Sequence, residues 1–508
     1  MTGIENDELL SILLVYPDTR EAALGSPGFR EVYRTFDEDD SFIADWAWFE
    51  KDSAQVLYEC REWRGDYDCV ALSVSFEMLF ANVVKALSAL GIEPEREKRS
   101  NDSPLVALGG VVPTLNPAPA SVIADLVFAG EAEQDAVKEV KRYIASKHTG
   151  AANKLTPMSG VRAPEDKLAV PRYYIPKEDI LSSYFPGFDD PSICTFSGAG
   201  LVEVGRGCSR ACRFCAAGHI YLPVRHRPVK DILRDVDTFD GIAERIGLVG
   251  ASISDHKELD IILKGIIDRG FGLTTSSFRA DMVTPDIIAL MKEGGLKTLT
   301  IAPEGGSARI RAIVNKRLDR DSILRAASVA AEGGIRSIRL YFMVGLPWER
   351  EDDIEAIPAL CSEIGDAVRP FNVKLTVSLN PFIPKPQTPF QWCPMAGEKY
   401  LSAVYKTLKK AFLKQRGISL NTLSIRIAVR EAVIGLGGVN TGRAIIDNVL
   451  RNIPWKKALT NNSVDVTELL YTFKDRDIIF PWDSVHTEKR KAALYASYEK
   501  AYSTAQNT

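Results

Sequence analysis

Long apolar runs are missing from this chain of 508 residues: no uninterrupted stretch approaches the ~18 residues that cross a membrane. A one-signed charge is missing too. Lys and Arg number 63 against 67 Asp and Glu, a formal net charge of −4, so the chain as a whole is no polyanion binder. Its opening, MTGIENDELL, is acidic and has no basic region ahead of an apolar one, so no secretion signal is expected. Cysteine is scarce, with 8 residues, which excludes a disulfide framework. Histidine is scarcer, with 5 residues and none before His148. There is no internal repeat and no low-complexity segment. The composition, 45% hydrophobic and 26% charged, is that of an ordinary soluble protein able to bury real cores. Its length suggests roughly three domains at ~150 residues each.

What is present is a rhythm of short apolar runs and helical patterns. SILLVYP, CVALSVSF, PLVALGG and LVFAGEAE read as strands ending in Gly, Pro, Ser or acidic residues. EMLFANVVKALSALG and EQDAVKEVKRYIAS have apolar residues at helical spacing. Residues 1–148 are therefore expected to form a doubly wound, Rossmann-like parallel sheet, with its ligand past the carboxyl ends of the strands. Residues 149–200, rich in Pro, Gly and Ser, read as a linker. From Leu201 the rhythm restarts with LVEVG, IGLVGASIS, FGLTTSSF, LKTLTIAP, IRSIRLYFMVG and NVKLTVSLNPF. Six strands alternating with helices over 201–393 fall short of an eightfold barrel and fit a partial (β/α)6 TIM-like barrel. Residues 394–508 read as a mostly helical C-terminal region. Within it, Glu398 to Lys457 holds twelve Lys/Arg against three acidic residues, a local excess of nine positive charges.

The scarce cysteines are not scattered. GRGCSRACRFCAAGH places Cys208, Cys212 and Cys215 in a C-x3-C-x2-C pattern directly after the strand LVEVG. Thiolates ligate soft metals, and iron–sulfur clusters commonly take four of them. Of Cys60, Cys69, Cys194, Cys361 and Cys393, none lies within a short loop of Cys215 and none is paired in a C-x2-C. Three cysteines would leave one iron with an open position, the mark of a catalytic metal. Two other readings stay open on the residues alone. One is a zinc knuckle completed by His219 or His226, and the other an electron-transfer cluster completed by a distant cysteine.

This pattern after the first strand of a partial barrel resembles the signature of the radical SAM superfamily. The resemblance implies a [4Fe-4S] cluster on Cys208, Cys212 and Cys215, with S-adenosylmethionine on the open iron. Cleavage would give methionine and a 5′-deoxyadenosyl radical. Phe214, before the last cysteine, stands where family members carry an aromatic residue near the adenine. SSFRAD resembles the segment that reaches the sulfonium end and ribose, at Ser277 and Arg279. IAPEGGSARIRAIVNK places Glu304 near the cofactor, and YFMVGLPWE places Val344 and Gly345 at the adenine. The usual Gly-Gly-Glu of the second strand is absent. GASISDH occupies its place, which leaves Ser252, Ser254 or Asp255 for that work. Taken alone, Arg279 also reads as a surface ion-pair partner and Glu304 as a helix cap.

The domain ahead of the barrel resembles the cobalamin (B12)-binding class of this superfamily, a subfamily much of which is of unassigned function. Gly109 and Gly110, and Gly130, Glu131 and Ala132, match that class. Ser73 and Ser75 end the third predicted strand, where the nucleotide tail would be buried. One feature departs: the D-x-H-x-x-G loop that supplies a cobalt-ligating histidine is replaced by PDTREAALGSPG. Cobalamin, if bound, has no histidine ligand from this domain, and a vestigial domain that binds nothing is the alternative.

The resemblance implies a cytoplasmic enzyme that abstracts hydrogen from an unactivated carbon, followed by methyl transfer from methylcobalamin. The alternatives are a cobalamin-independent outcome (C–C coupling, rearrangement or sulfur insertion) and a non-catalytic cobalamin or redox protein. An electron donor such as a flavodoxin or ferredoxin is implied. The basic segment suits a small-molecule, lipid or other anionic substrate, nucleic acid included, or is simply a solvated helix surface. No side chain stands out as hydrogen donor or general base. Tyr341 lies on the strand before the adenine segment, and period-two alternation alone does not say which face it takes.

Overall fold

The computed structural model describes residues 9–58, 65–133, 135–148, 161–162, 198–485 and 488–508. Cys60, Cys194 and most of the expected linker lie outside the described residues. The described chain falls into two compact units. The first joins the N-terminal residues to Val433–Leu469 and Ile479–Lys491, and the second joins the central residues to Leu470–Ile478 and Ala492–Thr508. Residues past 394 are thus divided between the units.

The first unit is built on seven strands: β1 (Leu10–Tyr16), β2 (Phe42–Glu50), β3 (Gln55–Tyr58), β4 (Cys69–Ser73), β5 (Leu105–Gly109), β6 (Leu126–Phe128) and β7 (Val161–Arg162). Their order is β3-β2-β1-β4-β5-β6-β7. The five inner strands are parallel, and β3 and β7 close the edges antiparallel. This is the doubly wound order whose direction reverses between β1 and β4, the place where such sheets bind ligands. β1 is buried throughout its second half, as a strand covered on both faces should be. β2 and β3 are not foreseen in the sequence reading. In β2, FIADWAWFE, an Asp interrupts the apolar run. The structure buries Asp45 and satisfies it with the Tyr67 hydroxyl at 2.8 Å. The helix Val439–Leu450 contributes Ile445 and Ile446 to the same core as Val83, Leu87 and Val106. Asn116 fixes the chain there by donating to the carbonyls of Gly435 (2.9 Å) and Gly437 (2.7 Å).

The second unit carries β8 (Ala199–Arg206), β9 (Arg225–His226), β10 (Arg245–Gly250), β11 (Gly272–Thr275), β12 (Thr298–Glu304), β13 (Ser337–Val344), β14 (Lys374–Pro381) and β15 (Ile418–Thr422). They form two four-stranded sheets, β11-β10-β8-β9 and β12-β13-β14-β15. A parallel bridge between Phe278 and Ile301 joins β12 to the chain just past β11. The result is the partial barrel, with the six expected strands in sequential parallel order. β15 adds a seventh parallel strand on β14, so the mostly helical C-terminal region also extends the barrel sheet. ISLNT has alternating partial burial and no long apolar run, which hid it in the sequence.

Period-two alternation is clean here. Ile338, Leu340, Phe342 and Val344 of β13 are buried under the helices. Tyr341 and Met343 lie on the other face, level with Ser378 and Asn380 of β14. Ser378 in turn pairs with Asn421 of β15. The face not covered by helices is therefore mostly polar: Thr300, Arg339, Tyr341, Ser378, Asn380 and Asn421, with Met343 beside Asn380. That settles the side of the sheet on which Tyr341 lies.

Candidate active site

At the carboxyl end of β8 the chain passes through Gly207 at φ +81°. A β-carbon there would collide with the Tyr221 carbonyl, so only glycine fits. The cysteine loop follows and is pinned from three directions. Asn315 donates its side-chain amide to the Ala211 carbonyl at 2.8 Å. Arg213 donates Nη1–H to the carbonyls of Ile313 (2.6 Å) and Ala312 (3.1 Å), and its backbone N–H to that of Val314 (3.0 Å). These carbonyls end the helix Ala308–Ile313, where a cation complements the dipole. The Phe390 N–H, from a short turn after β14, donates to the Arg213 carbonyl at 3.2 Å.

Inside the loop, the Cys215 N–H donates to the Cys212 carbonyl at 3.1 Å. Burial pushes the Cys212 thiol up to about 11 and raises that of Cys215. Two sets of groups act in the opposite sense and favour thiolate. Lys316 and Arg279 bring positive charge toward Cys212, and the Ala217 and Gly218 N–H groups point at the Cys215 sulfur. The ring Nε2 of His219 lies 3.1 Å from the Cys212 carbonyl, which occupies that nitrogen. His226 packs edge-on against His256, ring centroids 5.0 Å apart. Among the described residues no three His, Cys, Asp or Glu side chains meet as ligands of a single ion. A cubane spreads its thiolates over separate irons, three of the four here, and three soft donors on one pinned loop suit that larger group.

Charged side chains bind the ends of the next strands to this loop. Arg210 holds Asp255, after β10, through two hydrogen bonds of 2.9 and 2.5 Å. The Ser252 hydroxyl donates to the same carboxylate at 2.7 Å. Burial opposes ionisation of Asp255, yet Arg210 and Ser252 bring its carboxyl below the usual range. Arg210 also reaches Asp281 at 3.6 Å, and Asp281 takes a paired bond from Arg279 at 2.9 and 3.0 Å. At the end of β12, Glu304 accepts from Lys316 at 3.1 Å. Burial raises the Glu304 carboxyl, and its backbone is left-handed at φ 68°, an uncommon state for a residue with a side chain. After β13, the Gly345 N–H donates to Glu349 Oε2 at 2.6 Å, and the Tyr400 hydroxyl donates to the same oxygen at 3.1 Å.

The candidates from sequence fall into this frame unevenly. Ser252, Arg279 and Glu304 belong to the charged chain around the cysteine loop. Ser254 is buried in the turn after β10, and Val344 is buried at the end of β13. Phe214 packs against the apolar cluster of Ile310, Phe382 and Phe390. Ser277 is exposed. Arg210, Asp281, Asn315 and Lys316 were not singled out. Only the adjacency of Asp281 to Arg279 and the Asn-Lys pair closing the Glu304 segment could have signalled them.

In the first unit an apolar cavity of about 60 Å³ opens at the sheet. That is several times the ~10–15 Å³ needed for one water. Leu14, Ala71, Ala107 and Phe128 line its sheet side, and Phe29, Phe36, Ala136 and Val140 its helix side. Ser73, Gly109, Gly110 and Ala132 edge it at the carboxyl ends of β4 and β5 and past β6. Gly110 takes φ +105°, and a β-carbon there would stand 2.7 Å from the Val74 carbonyl oxygen. Ser75 instead lies toward the Tyr16 hydroxyl. The Gly130 N–H donates to the Thr114 hydroxyl at 3.1 Å, and Glu131 is buried beside it.

Comparisons with known proteins agree with this geometry. A family model described as the radical SAM superfamily matches residues 202–361. A second, the N-terminal region of radical SAM proteins, matches 28–179. An uncharacterized protein of Methanocaldococcus jannaschii is 29% identical over 387 residues, covering 74% of this chain and 80% of that one. The ribosomal protein uS12 methylthiotransferase RimO of Thermotoga maritima is 23% identical over 176 residues, 32% of this chain and 41% of that protein. Among solved structures, the cobalamin-dependent S-adenosylmethionine radical enzyme OxsB, with aqua-cobalamin and S-adenosylmethionine bound, superposes with a TM-score of 0.54 at 13% identity. That match covers 99% of this chain and 80% of OxsB. The radical S-adenosylmethionine methyltransferase TsrM of Kitasatospora setae, with cobalamin and a [4Fe-4S] cluster bound, gives 0.50 at 12% identity over 73% of this chain and 75% of TsrM. No helix among the described residues is long and apolar enough to cross a membrane. With its cysteine loop at the head of a partial parallel barrel and both family models in register with its two folds, the chain belongs to the radical SAM superfamily and has the fold of its cobalamin-dependent members.

Proposed function

We propose that this radical SAM enzyme is a cobalamin-dependent methyltransferase that methylates an unactivated carbon. The observation that carries the reading is the cavity of the first unit. It is apolar, sits between sheet and helices, and is edged by Ser73, Gly109, Gly110 and Ala132 at the strand ends where such sheets bind ligands. A cofactor tail with a flat apolar ring suits that lining. No histidine is among the residues that line it, so the lining fits a cobalamin without a histidine ligand from this unit.

When bound, the cluster supplies the electron that cleaves S-adenosylmethionine to a 5′-deoxyadenosyl radical, and cobalamin the methyl group. Cys208, Cys212 and Cys215 would hold the cluster, while Asn315 and Arg213 keep their loop in one shape. Arg210, Asp255, Asp281 and Arg279 pair with one another at the strand ends, and that fixes the loop against β10 and β11. Lys316 and Arg279 place positive charge beside Cys212, which stabilises thiolate. The polar face of β12 to β15 (Thr300, Tyr341, Ser378, Asn380 and Asn421) offers neutral hydrogen-bonding groups to a substrate. The basic segment is a weaker clue: its positive charge is divided between the two units. Two of its arginines are already paired, Arg451 with Asp447 and Arg443 with Glu97.

The test is anaerobic reconstitution with iron, sulfide, reductant, S-adenosylmethionine and hydroxocobalamin. Formation of 5′-deoxyadenosine together with S-adenosylhomocysteine, both lost in Cys208→Ala, is the expected outcome. 5′-Deoxyadenosine without any retained corrinoid would overturn the methyl-transfer reading. Sulfur insertion is the second reading, favoured by the similarity to the methylthiotransferase RimO over 176 residues. It predicts that sulfide enters the product.

A further inference from the structure

The cysteine loop stands at the carboxyl ends of the barrel strands. At their amino-terminal ends the second sheet carries two rows of hydroxyl and cationic side chains. Thr298, Ser337 and Lys374, the first residues of β12, β13 and β14, stand side by side in one row. Two residues on, Thr300, Arg339, Thr376 and Ser419 make the next row across all four strands. Both rows lie on the face away from the helices, because Leu299, Ile338, Leu340 and Leu375, which alternate with them, are buried on the other.

No carboxylate stands in either row. Arg339 and Lys374 are exposed, and among the described residues neither makes an ion pair. They sit on adjacent strands, one row apart, a diagonal that long side chains span. Like charges so placed repel, and nothing in the two rows offsets them. Arg210 and Arg279, at the other end of the barrel, are each locked to a carboxylate. An arginine that only held the barrel together would be paired in that way.

We propose that these two rows hold the phosphate of an extended, polar phosphate-ester substrate. The Arg339 fork pairs with two phosphate oxygens, and Lys374 adds a point charge. The hydroxyls of Ser337, Thr300 and Thr376 donate to the oxygens that remain. Several terminal oxygens match donors spread over two rows and three strands, which a single carboxylate would leave partly unused. At ~3.3 Å per residue, Arg339 lies about 17 Å below Val344 along β13. The reacting carbon, at the cysteine-loop end, is therefore far from the phosphate. Tyr341, Ser378 and Asn421 form the row between and offer neutral hydrogen bonds to the body of such a molecule. The inference names the substrate class for the function proposed above and rests on that reading for the end at which the chemistry occurs.

The experiment titrates the reconstituted full chain with inorganic phosphate and with glucose 6-phosphate by calorimetry, with glucose and acetate as competitors. Arg339→Gln, Lys374→Gln and Arg339→Lys are compared with wild type, and thermal melts confirm the fold of each. Expected is saturable phosphate binding to wild type, about tenfold weaker in each Gln variant. Arg339→Lys, which keeps the charge and loses the fork, falls between. Glucose 6-phosphate displaces inorganic phosphate, and glucose does not. No binding to wild type, equal affinity in wild type and both Gln variants, or displacement by glucose overturns the site. Acetate that displaces phosphate as well as glucose 6-phosphate does overturns the choice of phosphate. These titrations need neither S-adenosylmethionine nor a corrinoid. Phosphate binding that is weakened in the variants of a chain that makes no 5′-deoxyadenosine keeps the site and overturns the function proposed above.

Discussion

Asn315 and Ala211 are joined by a 2.8 Å hydrogen bond, side-chain amide to carbonyl, and both have left-handed backbone, φ 57° and 52°. Asn adopts that conformation more readily than most residues. The cysteine loop therefore depends on a residue about a hundred positions away, carried by the turn after the helix Ala308–Ile313. Asn315→Ala leaves the Ala211 carbonyl without this partner, at a cost of about 1–3 kcal/mol. The expected result is a lower melting temperature and reduced iron content after reconstitution. Iron content equal to wild type would show that the loop holds its shape without the tether.

The Arg210–Asp255 pair gives a prediction on the acid side. The Asp255 carboxyl lies below its usual value in the folded chain, so its contribution to stability is present above the unfolded value near 4. That contribution is lost as the pH falls through the folded value. Asp255→Asn should therefore be less stable than wild type at neutral pH, and the gap should close in strongly acidic buffer. Denaturant melts across this range measure it. A gap that is constant with pH would mean that the pair contributes through shape and not through charge.

Glu349 behaves in the opposite sense. Burial pushes its carboxyl up to about 7, against the bonds from Gly345 and Tyr400 that favour the anion. A raised acid favours folding most below its unfolded value of about 4.5 and loses that advantage as the pH rises through about 7. Glu349→Gln keeps an oxygen for the Gly345 N–H and carries no charge. It should flatten the fall in stability between about pH 5 and 8, gaining on wild type at the alkaline end. Parallel curves for the two proteins would remove Glu349 as the source.

Much of this architecture was legible in the sequence, for physical reasons that name their own limits. β1, β4, β5, β8 and β10 to β14 announce themselves as short apolar runs between turn residues. β2 did not, because Asp45 breaks its run and only the distant Tyr67 hydroxyl makes that acid tolerable. β15 did not, because ISLNT is half exposed and short. In the site, spacing alone picked out the three cysteines. Arg210 and Asn315 act through partners 45 and 104 residues away, Asp281 reaches back to Arg210 and Lys316 toward Cys212, links that no local pattern encodes. The return of Val433–Leu469 to the N-terminal sheet was hidden likewise, since its evidence is the bond from Asn116 to two glycine carbonyls.

That return yields the last prediction. Asn116 is 1% exposed, and its amide satisfies the carbonyls of Gly435 and Gly437. Asn116→Ala leaves both without this donor, at a cost of about 1–3 kcal/mol for each group that water does not reach. Ile445 and Ile446 would lose their fixed seat against Val83 and Leu87. A fragment ending at residue 175 lacks those isoleucines altogether and exposes part of the N-terminal core. Such a fragment should aggregate or bind a hydrophobic dye, while co-expression with residues 433–469 should restore a cooperative melt. A fragment that melts cooperatively by itself would show that the helix Val439–Leu450 decorates the sheet and does not complete it.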